Sequence, residues 1–315
     1  MELITVITPT WNRSDYLIRV YNSLLSQSYK KFEWLICDDN STDNTLQVLK
    51  RFKSQKKIKI KIYSFPERVG KASMDNYAIK AAKGKFIYVA DSDDSFSSNF
   101  FLDMISEWKK IPNNLKKKIF AITSPCLIIK KKSIKYNLKK NFISSSELWY
   151  KLSKRQESAL FLIADVLKKY KFKEIDYYVP EGILWDKIGL KYHLWVVDKC
   201  YRNFYSDTPN SITHSKKINY IFGQHYALKE SLNLYSKIKY FDLKTFLYCC
   251  INLNRYNFHT SQNFFKQLRL LKILSTKILY CSTYLFGYIL YIKDKYQKKV
   301  IVLKYKKKKF TPAVL

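Results

Sequence analysis

Four short apolar segments in the first ninety residues, spaced by helix-like stretches and each running directly into a polar cluster, constrain this chain more than any other feature. Residues 3–8 are a β-branched run, and Leu17, Val20, Tyr21, Leu24 and Leu25 then recur at a spacing that lays one helix face on a sheet. Residues 32–37 read as a second strand, after which Ser41 or Thr42 can cap a helix carrying Leu46, Leu49 and Phe52. Residues 58–63 alternate apolar side chains with lysine, as a third strand at a sheet edge would. Met74, Ala78, Ala81 and Ala82 mark the next helix, Gly84 ends it, and residues 86–90 form a fourth strand.

This order predicts an α/β fold with a mainly parallel sheet, because each right-handed crossover returns the chain in the same direction. Ligands of such sheets collect beyond the carboxyl ends of the strands. The four strands end in Pro9-Thr10-Trp11-Asn12-Arg13, Asp38-Asp39-Asn40-Ser41, Glu67-Arg68-Val69-Gly70-Lys71 and Asp91-Ser92-Asp93-Asp94, so four polar clusters converge on one edge. Beyond residue 95 the pattern is mixed, with a helix expected near 99–109, a strand over 120–129 and a helix over 145–170. From 215 to 315 the chain turns basic, aromatic and helical, as an appendage to a domain over 1–214. The uncharged stretch 278–292 is shorter than the roughly 20 residues that span a bilayer, which suits a buried helix or one lying in a membrane interface.

The formal charge of +33 predicts attraction to polyanions: nucleic acid, anionic lipid or phosphorylated substrates. A host-wide bias towards Lys, Ile, Asn, Tyr and Phe is a competing source of that charge. The six cysteines show no Cys-x-x-Cys spacing, which argues against a structural zinc site and a disulfide framework. The chain opens into Glu2-Leu3-Ile4-Thr5-Val6-Ile7 without a basic leader, the pattern of a cytoplasmic protein.

Asp91-Ser92-Asp93-Asp94 projects carboxylates from the end of a hydrophobic strand. Such groups repel one another unless a cation sits among them, and hard oxygen ligands favour Mg²⁺ or Mn²⁺. A calcium loop fails, since the sixth position from Asp91 is Phe96 and the twelfth Leu102. Together with Thr8-Pro9-Thr10-Trp11-Asn12-Arg13, Asp38-Asp39-Asn40-Ser41-Thr42-Asp43 and the run from Gly70 to Asn76 ahead of Ala81-Ala82-Lys83-Gly84, this constellation resembles the family 2 glycosyltransferases with the GT-A fold. Pro180-Glu181-Gly182-x-x-Trp185-Asp186 is similar to a motif of members that build bacterial surface polysaccharides and lipooligosaccharides.

The resemblance implies a nucleotide-sugar half over 1–95 and an acceptor half over 96–214. It implies that Thr8, Pro9 and Asp39 form the base pocket, with Thr10 also binding the donor and Asp39 accepting from uracil N3–H and so favouring a UDP-sugar. Arg13, Arg68 and Lys71 would offset donor charge, unless Arg13 braces the first helix. Asp91 and Ser92 would reach the donor, Asp93 would ligate the metal with Asp91, and Asp94 would stand behind them. Many relatives carry Arg where this chain has Asp75, so Lys71 is the substitute. Glu181 is the candidate base for inverting transfer and Asp186 the alternative. Trp185 reads equally as core or as an acceptor platform. His214 is a candidate extra metal ligand or a solvated loop residue. The acceptors implied are saccharides or polyprenyl-linked and other lipid-linked saccharides. That would place the protein peripherally on the anionic inner face of the cell membrane, where each nearby Lys adds about 1 kcal/mol.

Two rivals remain weaker. A basic nucleic-acid-binding protein would lack any helix-turn-helix, zinc-finger or RNA-binding signature and would leave the acidic clusters without a role, so no specific nucleic-acid partner is expected. A nucleotidyltransferase needs a glycine-rich loop after the first strand, where this chain has no glycine.

Overall fold

The computed structural model describes residues 1–129, 141–152, 157–205, 220–238, 242–300, 305 and 310–315. Its first half follows the expected alternation: β1 (Ile4–Thr10), α1 (Leu17–Leu25), β2 (Phe32–Asp38), α2 (Thr45–Ser54), β3 (Ile60–Ser64), α3 (Lys71–Ala81) and β4 (Phe86–Val89). β1, β2, β3 and β4 pair in parallel. Every residue of β1 and β2 is buried, because helices cover both faces, and this is why they read as unbroken apolar runs rather than alternating ones. Tyr21 of α1 stacks on Phe52 of α2 with centroids 4.1 Å apart, so the two helices close over Trp34 of β2. α2 begins at Thr45, later than a cap at Ser41 or Thr42 would start it. Those hydroxyls serve the loops instead: Ser41 donates to Asp38, and Asn12 Nδ2 donates to Thr42 Oγ1.

The second half adds β5 (Ser95–Phe96), α4 (Phe100–Lys110), α5 (Asn113–Lys116), β6 (Ile119–Ile128), β7 (Phe142–Ser144), β8 (Ser158–Ile163), α6 (Ala164–Leu167), α7 (Gly182–Gly189), β9 (His193–Val196) and β10 (Arg202–Phe204). The helix expected over 145–170 is replaced by a π-helical turn (Glu147–Leu152) and by β8, which lies antiparallel between β4 and β6. The apolar run Ser158-Ala-Leu-Phe-Leu-Ile satisfies either period, and burial between two strands decides it. One sheet runs β11-β3-β2-β1-β4-β8-β6-β10-β5, where β11 is Ala313–Val314, with β9 on β6 and β7 on β9.

The C-terminal region is helical: α8 (Ile221–Leu234), α9 (Leu243–His259), α10 (Phe264–Leu270), α11 (Leu274–Ser282) and α12 (Tyr284–Tyr296), around a small core of Leu232, Phe246, Cys249, Cys250, Leu253, Leu271 and Tyr280. It also contacts the rest of the chain. Lys187 of α7 ion-pairs with Glu230 of α8 at 2.6 Å, and the last strand, β11 (Ala313–Val314), pairs antiparallel with β3. The expected edge of β3 is therefore covered by the chain's own end.

Candidate functional site

The strand ends open into a cavity of about 560 Å³ whose lining includes Pro9, Thr10, Arg13, Asp39, Arg68, Lys71, Asp91, Ser92, Asp93, Glu181 and Asp186. Of the residues singled out in the sequence, Thr8 stands apart: it is buried in the sheet, where its Oγ1 accepts from Trp34 Nε1 at 2.9 Å. His214 lies outside the described residues.

Local chemistry explains how the loops are held. Asn12 and Asn40 adopt the left-handed conformation that asparagine tolerates, with φ of 51° and 58°. Asn12 then accepts Thr42 N–H at 2.8 Å, and its own amide donates to Ser41 Oγ at 2.9 Å, which stitches the loops after β1 and β2 together. Asp39, almost fully buried, accepts Val69 N–H at 2.5 Å and Gly70 N–H at 3.1 Å, clamping the loop after β3. Desolvation raises its pKa against the pull of those amides and of Arg68. Arg68 lies 3.6 Å from the ring centroid of Trp11 and 4.6 Å from that of Tyr177, a guanidinium held between two aromatic faces. Beside this pocket, Thr10 Oγ1 is buried without a hydrogen-bond partner.

The acidic turn after β4 is organised by Arg202 of β10, which sequence reasoning missed. Its Nε donates to Asp94 Oδ2 at 2.5 Å and its Nη2 to Asp91 Oδ2 at 2.6 Å, while Glu157 stands 3.9 Å from Nη1. On the other side Lys71, the first residue of α3, bonds Glu181 at 2.7 Å and Asp75 at 2.9 Å and stands 3.9 Å from Asp91. Burial alone would lower the Lys71 pKa, but Asp75, Glu181 and Asp91 hold it well above the ordinary range.

The carboxylates divide in consequence. Burial would raise Asp91, yet Arg202 and Lys71 keep it below the usual range. Burial and the neighbouring carboxylates push Asp94 up to about 7 and Asp75 up to about 6, and burial with the charge of Asp91 raises half-buried Asp93. Asp75, Asp91, Asp93, Asp94, Glu157 and Glu181 thus share Lys71 and Arg202, with Arg13 reaching Asp93 through its charge. Negative charge is in excess on the cavity floor, and a hard divalent cation fits that surplus. Among the described residues no three carboxylate, histidine or cysteine groups form a ready ligand cage. One or two carboxylates with substrate phosphates are the usual way Mg²⁺ is held, and Asp93 with Asp91 would supply that donor set.

Glu181 and Asp186 flank the start and middle of α7. Glu181 is one-third exposed and fixed by Lys71, whereas buried Asp186 accepts the Tyr150 hydroxyl at 2.7 Å. Trp185 is buried edge-on against Phe172, with a core role in addition to its place in the lining. The opposite wall comes from Gln224, Leu228 and Ser231 of α8 and Tyr248 and Tyr256 of α9, none of which any motif marked.

Residues 5–156 match the family model described as Glycosyl transferase family 2. Over 94 residues the chain is 40% identical to the UDP-Glc:alpha-D-GlcNAc-diphosphoundecaprenol beta-1,3-glucosyltransferase WfaP of Escherichia coli, an alignment covering 30% of this chain and 36% of that protein. The match spans about a third of the length of WfaP and of the glycosyltransferase GlyG of Streptococcus pneumoniae. The fold superposes on Staphylococcus aureus TarS 1–349 in complex with UDP-GlcNAc with a TM-score of 0.62 at 17% identity, covering 95% of this chain and 93% of that one. It also superposes on the mannosyltransferase PcManGT of Pyrobaculum calidifontis, in complex with GDP-Man and Mn²⁺, with a TM-score of 0.53 at 14% identity, covering 93% and 87%. Residues 5–156 are thus similar to glycosyl transferase family 2, within a chain that has the GT-A fold.

Proposed function

We propose that this protein transfers a sugar from a nucleoside diphosphate donor, with uridine as the base, to a hydroxyl of a saccharide or lipid-linked saccharide, inverting the anomeric centre. The observation that carries the reading is the meeting of the Asp39 pocket, the Asp91–Asp93 floor and Glu181 in one cavity. The E. coli relative's diphosphoundecaprenol acceptor supports a lipid-linked acceptor, and the UDP-GlcNAc bound to TarS supports the uridine base.

In this reading the base lies beside Thr10 and the Trp11–Arg68 pair, facing Asp39, whose amide partners fix its orientation. Asp93, with Asp91, would hold Mn²⁺ or Mg²⁺, which supplies neutralisation of the charge that grows on the departing diphosphate. Arg202 keeps Asp91 ionised and fixes its carboxylate through Oδ2. Lys71 brings positive charge to the same edge and steers Glu181. The acceptor oxygen bonds to the anomeric carbon as the bond to the diphosphate oxygen breaks. Glu181 takes the hydroxyl proton, a role general bases perform with an effect of about 10²–10⁴-fold. A peripheral position on the cytoplasmic face of a membrane fits a lipid-linked acceptor.

Turnover of a UDP-sugar with an undecaprenyl-diphosphate-linked acceptor tests the assignment. Glu181→Gln is expected to lose about 10²-fold or more in turnover with UDP affinity kept, and Asp186→Asn to stay within about tenfold of wild type, since its carboxylate is occupied by Tyr150. Full turnover in Glu181→Gln with loss in Asp186→Asn would transfer the base role to Asp186.

A further inference from the structure

α12 is turned inside out for a helix in water. Its buried side carries Gly287 and Asp294, while Leu285, Ile289, Ile292 and Tyr296, spaced i, i+4, i+7 and i+11 along one face, point outward together with Phe286 and Tyr288. Leu285 is 64% exposed, Ile289 55% and Tyr296 90%. In the preceding helix, α11, Thr276 and Tyr280 are buried, whereas Leu274 and Ile278 are exposed. Of the nineteen exposed large hydrophobic side chains among the described residues, eleven fall between Phe265 and Tyr296, so the apolar surface is concentrated in these helices.

Their packing against α9 is rich in polar contacts. Arg255 of α9 pairs through both Nε and Nη2 with Asp294 at 2.5 Å, and His259 stands 3.0 Å from the same carboxylate. Asn254 donates to the Tyr280 carbonyl at 2.7 Å, and Asn257 donates to the Tyr280 hydroxyl. A Cβ on Gly287 would sit 2.5 Å from the Asn254 Cβ, so α12 is pressed tightly on α9. The outward face is thus the product of specific packing on its other side, and the helix cannot roll to hide it. Polar groups gathered inside with apolar groups outside is the arrangement of helices whose surroundings are apolar.

Charge identifies the surroundings. From Leu243 to the C-terminus the sequence holds fifteen Lys and Arg and one acidic residue, Asp294, which is buried. Lys277, Lys293 and Lys295 lie on the same two helices, and no described helix is long and apolar enough to cross a membrane. A second copy of the chain would set +33 against +33. We propose that α11 and α12 lie in the headgroup region of an anionic bilayer, with the Leu285–Ile289–Ile292–Tyr296 face in the acyl boundary and the lysines on anionic headgroups. α9, on which these helices pack, walls the cavity together with α8, so docking would hold its mouth at the lipid surface. The inference stands on this surface alone, independent of the chemistry in the cavity.

The test is co-sedimentation of the full-length protein with vesicles of phosphatidylcholine alone or with about 30% phosphatidylglycerol. Wild type is expected to partition onto the anionic vesicles at least about tenfold more strongly than onto the neutral ones. The triple variant Leu285→Gln, Ile289→Gln, Ile292→Gln should lose about tenfold or more of that partitioning. Its circular dichroism, melting midpoint and stabilisation by UDP should match wild type, because these side chains make few internal contacts. Equal binding by the triple variant, or no vesicle binding by wild type, overturns the proposal. So does a wild-type dimer in light scattering that the triple variant abolishes, which would assign the face to a second copy.

Discussion

Asp75 sits one turn into α3, buried, with one carboxylate oxygen on Lys71 and Oδ1 without a partner. Burial, outweighing the pull of Lys71 and joined by repulsion from Glu181 and Asp91, pushes it up to about 6 from an ordinary 3.8. The folded protein therefore retains this proton at pH values where the unfolded chain has released it. Raising pH from about 4 to 6 removes stability, roughly 3 kcal/mol over that window at about 1.4 kcal/mol per unit. Asp75→Asn keeps an acceptor for Lys71 but cannot ionise. In denaturant titrations without metal or nucleotide, wild type is expected to lose stability relative to Asp75→Asn between pH 4 and 7, and parallel profiles would refute this. At this scale the sequence was informative where chemistry clusters locally. Asp91, Asp93 and Glu181 stand in short motifs at the ends of elements, and the cavity gathers them. Arg202 was not legible, because it lies 108 and 111 residues from the two carboxylates it joins and has only aromatic and small neighbours. Thr8 shows the reverse error, since its place in a motif said nothing of the Trp34 indole that occupies its hydroxyl.

Among the elements, the β-α alternation up to β4 was readable because both faces of those strands are covered and the helices α1 and α2 keep a clear apolar face. The failures have a common physical origin. β8 is a short apolar run whose period fits strand and helix alike, and only the distant strands β4 and β6 choose between them. β3 carries lysines that mark an edge, yet β11, some 250 residues later, covers it. The loop between β3 and α3 is the element on which the donor pocket depends most, and Gly70 is its pivot. Its φ of 81° and ψ of 163° fall in a region essentially restricted to glycine, and a Cβ there would lie 2.5 Å from Tyr177 Cα. Gly70→Ala is expected to cost about 3 kcal/mol and, by displacing the amides that hold Asp39, to weaken UDP binding at least about tenfold. Thermal melting and calorimetric titration would measure both, and a variant with unchanged midpoint and affinity would refute the role given to this loop.

At the scale of the whole molecule, the cavity belongs to neither half of the chain alone. Its floor is built from strand ends in the first hundred residues, its cationic brace from β10, and its far wall from α8 and α9. Composition foretold the basic, aromatic character of the C-terminal region but not that its helices would face the catalytic candidates on one side and expose leucine, isoleucine and tyrosine on the other. The central claim is that Asp93, backed by Asp91, binds a divalent cation that secures a nucleoside diphosphate in this cavity. The most direct measurement is the melting midpoint of wild type and Asp93→Ala with UDP, with and without Mn²⁺. A ligand at about 100 times its Kd adds about 2.7 kcal/mol to stability. Wild type should therefore rise by about 3–8 °C with UDP and Mn²⁺ together and little with either alone, and Asp93→Ala should not rise. An equal shift in Asp93→Ala, or a wild-type shift with UDP that survives removal of all divalent metal, would contradict the account.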